Sequence, residues 1–130
     1  MPSFIESDIV FAEFPENLKV DLEVAKAMVS DRLVFTVNKM HYIIFDVSNV
    51  KEITPEAKEF LQRPEYGLKN ILGAAFVATS PLATLIAKIF VKTQKDFQAK
   101  FFATREGAFE WILNYREKNK LQKFTSDWVK

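Results

Sequence analysis

His41-Tyr42-Ile43-Ile44-Phe45-Asp46-Val47 is the stretch on which the fold turns. Its aromatic and β-branched residues leave no polar face, which predicts a strand covered on both sides, as in the middle of a parallel sheet. Ile71-Leu72-Gly73-Ala74-Ala75-Phe76-Val77-Ala78-Thr79 predicts a second central strand. Its small residues leave room for a helix or a ligand to approach closely. Between the two lies Thr54-Pro55-Glu56, which reads as an N-cap, a first-turn proline and an acidic residue near the positive helix end. Ala57, Phe60 and Leu61 give that helix its buried stripe, and Pro64 stops it beyond about Gln62.

Outward from this centre the same grammar repeats. Ser80-Pro81 starts a helix through Lys92, on which Leu82, Leu85, Ile86, Ile89 and Phe90 form a wide apolar face. That face is broader than one sheet surface needs, so either long loops or a second subunit covers the surplus, and an interface with a second copy or a protein partner is expected. Ala99–Ala103 suits an edge strand; Thr104 caps a final helix carrying Ala108, Trp111, Ile112 and Tyr115 at helical spacing. From residue 118 onward the chain reads as a tail, in which Trp128 either folds back onto the body or frays. On the N-terminal side, Ile9–Phe14 predicts a strand ended by Pro15-Glu16-Asn17. Asp21 caps a helix with Val24, Ala27 and Met28 on one face, while Arg32–Val37 has strand character and leaves the helix end open. Strands alternating with helices predict one α/β domain over residues 1–130, with a mostly parallel or mixed sheet of four to five strands flanked by helices.

A length of 130 residues with 48% apolar residues and 13 Phe is enough for a core without covalent staples. The absence of cysteine excludes disulfides, thiol redox chemistry and thiolate metal sites. Met1–Asp8 lacks the pattern of a signal peptide, and no run approaches the roughly 18 apolar residues of a membrane span, so a cytoplasmic setting is expected. Charge is uneven: residues 1–65 carry 7 Lys/Arg and 12 Asp/Glu, net −5, and residues 66–130 carry 11 and 5, net +6. Lys88, Lys92 and Lys95, with Lys118, Lys120, Lys123 and Lys130, suit a solvated surface, an anionic partner or an antiparallel homodimer. Only Arg32, Arg63, Arg105 and Arg116 offer guanidinium forks, which speaks against nucleic acid.

Chemistry is thinly supplied. His41 is the one histidine, none of the six serines sits in a nucleophile elbow, and three glycines cannot build a phosphate loop. The carboxylates Glu52, Glu56 and Glu59 lack calcium-loop spacing and are expected to face water, with Glu56 near Lys51 or Lys58. No catalytic residue, metal or cofactor is expected, and His41 is assigned a structural role. Ligands of parallel sheets bind beyond the C-terminal strand ends, which here bring Asp46 and Ser48 near Ser80. Capping accounts for Asp46 and Ser80 more simply. Phe76, Phe90, Phe97, Phe101 and Phe102 could line an apolar pocket, or fill the core.

Three segments together carry a family likeness: Ile44–Ala57, Ala74–Leu82 and Phe101–Ile112. In that order they resemble the uncharacterised bacterial proteins of the STAS/SpoIIAA-like group, including small STAS/SEC14-like domains, over roughly residues 8–115. The resemblance implies a sheet flanked by helices. It also implies a binding role, since better-known relatives are anti-sigma-factor antagonists that bind a kinase-like partner and are phosphorylated on serine. The matching stretch here is Thr54-Pro55-Glu56-Ala57, with Pro55 and Glu56 where the serines stand, so only Thr54 carries a hydroxyl. Other relatives imply binding of lipid or small apolar ligands. The expectation is thus a non-enzymatic regulatory domain working through protein contact, with Asp46, Ser48, Thr54, Glu56 and Ser80 as its binding surface. A small apolar-ligand or lipid-binding module is the alternative.

Overall fold

Both faces of the run at His41–Asp46 are covered, as its lack of a polar side requires. A computed structural model describes residues 2–93 and 97–128, the side chains of residues 93 and 122–128 apart. In chain order it contains β1 (Pro2–Glu6), β2 (Ile9–Glu13), β3 (Leu18–Val20), α1 (Leu22–Phe35), β4 (His41–Asp46) and β5 (Val50–Ile53). Then follow α2 (Pro55–Leu61), β6 (Ile71–Val77), α3 (Pro81–Thr93), β7 (Gln98–Phe102) and α4 (Arg105–Trp128). Five strands form one mixed sheet in the order β1-β2-β4-β6-β7, with β1 antiparallel to β2 and the others parallel. β3 and β5 form a separate parallel pair.

The period-2 alternation of strand side chains divides the core in two. Val10, Ile43, Ala74 and Phe76 face α1, α2 and α3, meeting Ala25, Ala57, Ala83 and Ile86. Ile9, Tyr42, Ile44, Ala75 and Val77 face the other way and meet Ala108 and Ile112 of α4. The caps are those the sequence expects: Asp21 accepts from Val24 N at 2.9 Å, Thr54 from Ala57 N at 3.2 Å, and Ser80 from Ala83 N at 3.2 Å. The closeness allowed by the β6 glycine is used by a helix. A Cβ built on Gly73 would stand 2.4 Å from Tyr115 Cε2.

Four features differ from the sequence reading. Arg32–Phe35 stays helical, because Thr36 Oγ1 donates to the Arg32 carbonyl at 2.8 Å and Val37 and Asn38 turn the chain at φ 53° and 55°. The short strands β1, β3 and β5 carry too little patterning to stand out in the sequence. The buried stripe of α1 is Ala25, Val29 and Arg32, whereas Val24 and Met28 are half-buried and Ala27 is exposed. Finally, α4 continues to Trp128 through the segment read as a tail. The Trp128 and Lys123 side chains, and the lysines at 95 and 130, lie outside what the structure describes.

Candidate functional site

At the C-terminal strand ends, Asp46 is buried at the end of β4 and works as an anchor. Its Oδ1 accepts from Ser48 N at 3.0 Å and its Oδ2 from Arg105 Nε at 2.7 Å, tying the start of α4 to β4. Burial pushes this carboxyl up, but donors on Ser48 and Arg105 outweigh it and hold the group below its ordinary 3.8. The Ser48 hydroxyl contributes by proximity, yet is itself buried without a well-formed hydrogen bond. Ser48 and Ser80 line one shallow cleft of about 330 Å³ together with Asn17, Asn49 and Lys51. Asp46, Thr54 and Glu56 do not line it. Thr54 is engaged at the α2 cap; Glu56 is exposed and forms no ion pair among the described residues. The partners expected for Glu56 are therefore absent, and the neighbouring pairs are Glu52 with Lys19 at 3.2 Å and Glu59 with Arg63 at 2.7 Å.

On α3 the wide apolar face splits. Ile86 is buried and Phe90 stacks on Phe76 with ring centroids 5.9 Å apart. Leu82 and Leu85 are 46% and 58% exposed, with Ile89 half-buried beside them. What remains open is a strip near the helix start, narrower than the sequence suggests.

A half-open apolar space lies elsewhere, between α1 and the sheet. A cavity of about 290 Å³ is bounded by Phe14, Val24, Ala27, Met28, Ile43 and Phe45. A smaller one of about 70 Å³ shares Phe14, Met28, Phe45 and Leu61 with it and reaches Phe76 and Phe90. The apolar face predicted on α1 is the wall of this space, which is why Val24, Ala27 and Met28 are not fully buried. Of the phenylalanines proposed as pocket lining, Phe76 and Phe90 reach the smaller cavity. Phe97 and Phe101 pack on the core, and Phe102 points to the opposite face, against Trp111.

Two charged residues stand at this wall, the exposed Asp31 and the buried Arg32. Arg32 is 5% exposed and lines the larger cavity. Its Nη1 donates to the Lys69 carbonyl at 2.8 Å and its Nη2 to the Gly67 carbonyl at 3.1 Å. Nη1 also lies 3.1 Å from His41 Nε2, while His41 Nδ1 lies 2.8 Å from the Lys39 carbonyl. A carbonyl only accepts, so Nδ1 carries the proton, Nε2 accepts from Arg32, and the ring is neutral. Burial lowers the His41 pKa, the Lys39 carbonyl opposes this, and the Arg32 charge adds to the lowering. Burial also lowers the Arg32 guanidinium to about 10, leaving it charged at neutral pH. The sequence offers a single cue to this site, the α1 face; a basic residue in a last helical turn ordinarily reads as a solvated partner of the helix dipole. Among the described residues, no group of three or more His, Cys, Asp or Glu is placed to hold a metal ion, and no helix is long and apolar enough to cross a membrane.

A family model described as a domain of unknown function (DUF7793) matches residues 3–116. No curated protein matches the chain. Among solved structures, the chain is similar to an uncharacterized protein of the DUF3478 family with a SpoIIAA-like fold from Shewanella loihica PV-4. The TM-score is 0.60 at 13% identity, covering 86% of this chain and 90% of that one. At that identity the likeness establishes the fold, a SpoIIAA-like α/β sheet flanked by helices.

Proposed function

This chain belongs to the family of domains of unknown function DUF7793, and from that premise we propose that it is a non-enzymatic binding module whose cavity beneath α1 takes a small apolar ligand. The observation that carries the reading is the cavity of about 290 Å³ walled by Phe14, Val24, Met28, Ile43 and Phe45. Its size approaches the roughly 300 Å³ at which ligand pockets begin, and an apolar wall with few polar groups is their usual composition. Side chains able to transfer protons or acyl groups are scarce in the chain, and the one histidine is committed on both ring nitrogens. Titration with an uncharged solvatochromic dye such as Nile red tests this. One-to-one saturable binding is expected, and Ala27→Phe, which narrows the cavity from an exposed position, abolishes it. Absence of saturable binding to folded protein overturns the reading.

A second reading, regulation through protein contact, has its own support in Leu82 and Leu85, exposed one helical turn apart on α3. Of Asp46, Ser48, Thr54, Glu56 and Ser80, the surface expected for this reading, Ser48 and Ser80 share a cleft with Leu82, and the other three lie outside it. A homodimer seated on α3 gives twice the monomer mass by light scattering after size exclusion. The pair Leu82→Glu and Leu85→Glu returns it to monomer; a wild-type monomer at high concentration eliminates self-association.

A further inference from the structure

Three of the four arginines face carboxylates. Arg63 pairs with Glu59 and Glu65, Arg105 with Asp46 and Glu13, and Arg116 with Glu6, Asp8 and Glu117. Arg32 is the most buried of the four and makes no ion pair among the described residues. Its Nη atoms are occupied by neutral acceptors, the carbonyls of Tyr66, Gly67 and Lys69 and the His41 ring. They satisfy hydrogen-bonding geometry but bring no negative charge. Its Nε–H makes no hydrogen bond among the described residues. A buried cation is costly unless it is paired, and this one keeps a single N–H, on Nε, for an anion. Arg32 and Gly67, whose carbonyl takes one of these bonds, both line the cavity.

We propose that the ligand of this cavity is an aliphatic monocarboxylate, its headgroup held by the Arg32 guanidinium and its chain against Met28, Phe14 and Phe45. This rests on the apolar-cavity reading and adds the headgroup to it. A single negative charge fits better than a phosphate monoester: one cationic residue, Arg32, lines the space, and the exposed Asp31 on the same wall opposes a second charge. The chain on the apolar wall supplies burial, and the Arg32 contact supplies selection between otherwise equal chains.

Calorimetric titration of the whole chain with decanoate, 1-decanol and decyl phosphate, all below aggregation, separates the possibilities. Decanoate is expected to bind one-to-one and about tenfold tighter than 1-decanol, the size of one charge-assisted hydrogen bond. Equal affinity for acid and alcohol overturns the headgroup assignment while the apolar-cavity reading stands. Decyl phosphate matching decanoate overturns the choice of carboxylate. No saturable binding of any of the three removes both readings together. Arg32→Gln, checked for folding by circular dichroism, is expected to bind acid and alcohol alike; a folded variant that keeps the preference shows the anion is held elsewhere. Because wild-type selectivity is itself decisive, a variant that fails to fold leaves the test intact.

Discussion

Replacing Gly73 by Ala probes how α4 is seated on the sheet. The added Cβ would lie 2.4 Å from Tyr115 Cε2, 2.8 Å from Cδ2 and 3.2 Å from Tyr42 Cδ1, where ordinary carbon contacts begin near 3.5 Å. The Tyr115 ring has little freedom to yield. It stacks on Trp111 at 5.2 Å between centroids, meets Tyr42 edge-on at 5.9 Å, and Trp111 in turn leans on Phe102 at 5.8 Å. Overpacking of this kind costs about 1–3 kcal/mol, and a braced aromatic neighbour places it in the upper half of that range. Gly73 has ordinary negative φ, so alanine also restricts the unfolded chain and returns about 0.5–1 kcal/mol. The net expectation is a loss of about 1–2.5 kcal/mol, or a fall of about 4–9 °C in Tm for a domain of this length. Urea and thermal melts of Gly73→Ala, Tyr115→Leu and the double variant measure it. The two changes should be coupled by at least about 1 kcal/mol, because a smaller residue at 115 removes the clash. A Gly73→Ala protein as stable as the parent, or a cost undiminished in the Tyr115→Leu background, refutes the proposed role of this glycine.

Other expectations follow from the same contacts. His41 is the only histidine, and its folded pKa lies below 6.5, so the unfolded chain binds more protons in the window beneath that value. Its contribution is fully present above pH 6.5 and is lost as pH falls toward the folded value; His41→Gln flattens that slope in urea midpoints across the interval. Asp46, also lowered, gives stability that is lost as pH drops from its ordinary 3.8 toward the folded value. Asp46→Asn removes that dependence at a cost of about 1 kcal/mol, discounted because Arg105 is half exposed, as chemical denaturation will show. Thr54→Ala and Ser80→Ala each forfeit an N-cap and should cost about 1 kcal/mol in the same assay.

Much of the architecture was legible because it rests on local rules. Apolar runs at His41–Asp46 and Ile71–Val77 can be stable only as covered strands, and Asp21, Thr54 and Ser80 announce their helices by capping chemistry carried within four residues. Helices spaced between parallel strands then leave few arrangements, and the mixed five-stranded sheet is one of them. The wide face of α3 was visible too, though not which part of it the sheet covers.

What the tertiary structure alone decided are the long-range placements. β3 and β5 are strands because they pair with each other across about thirty residues, not because three or four residues prefer that state. Arg32–Phe35 keeps a helical course, despite the strand-like character of the run to Val37, because the Arg32 side chain finds carbonyl acceptors 35 and 37 residues away. The cavity arises where the face of α1 stands off the sheet, and only folding brings to its wall an arginine with no carboxylate partner among the described residues. Local composition sets which residues avoid water; which of them meet, and which charge is left facing an apolar space, depends on contacts that no short stretch of chain contains.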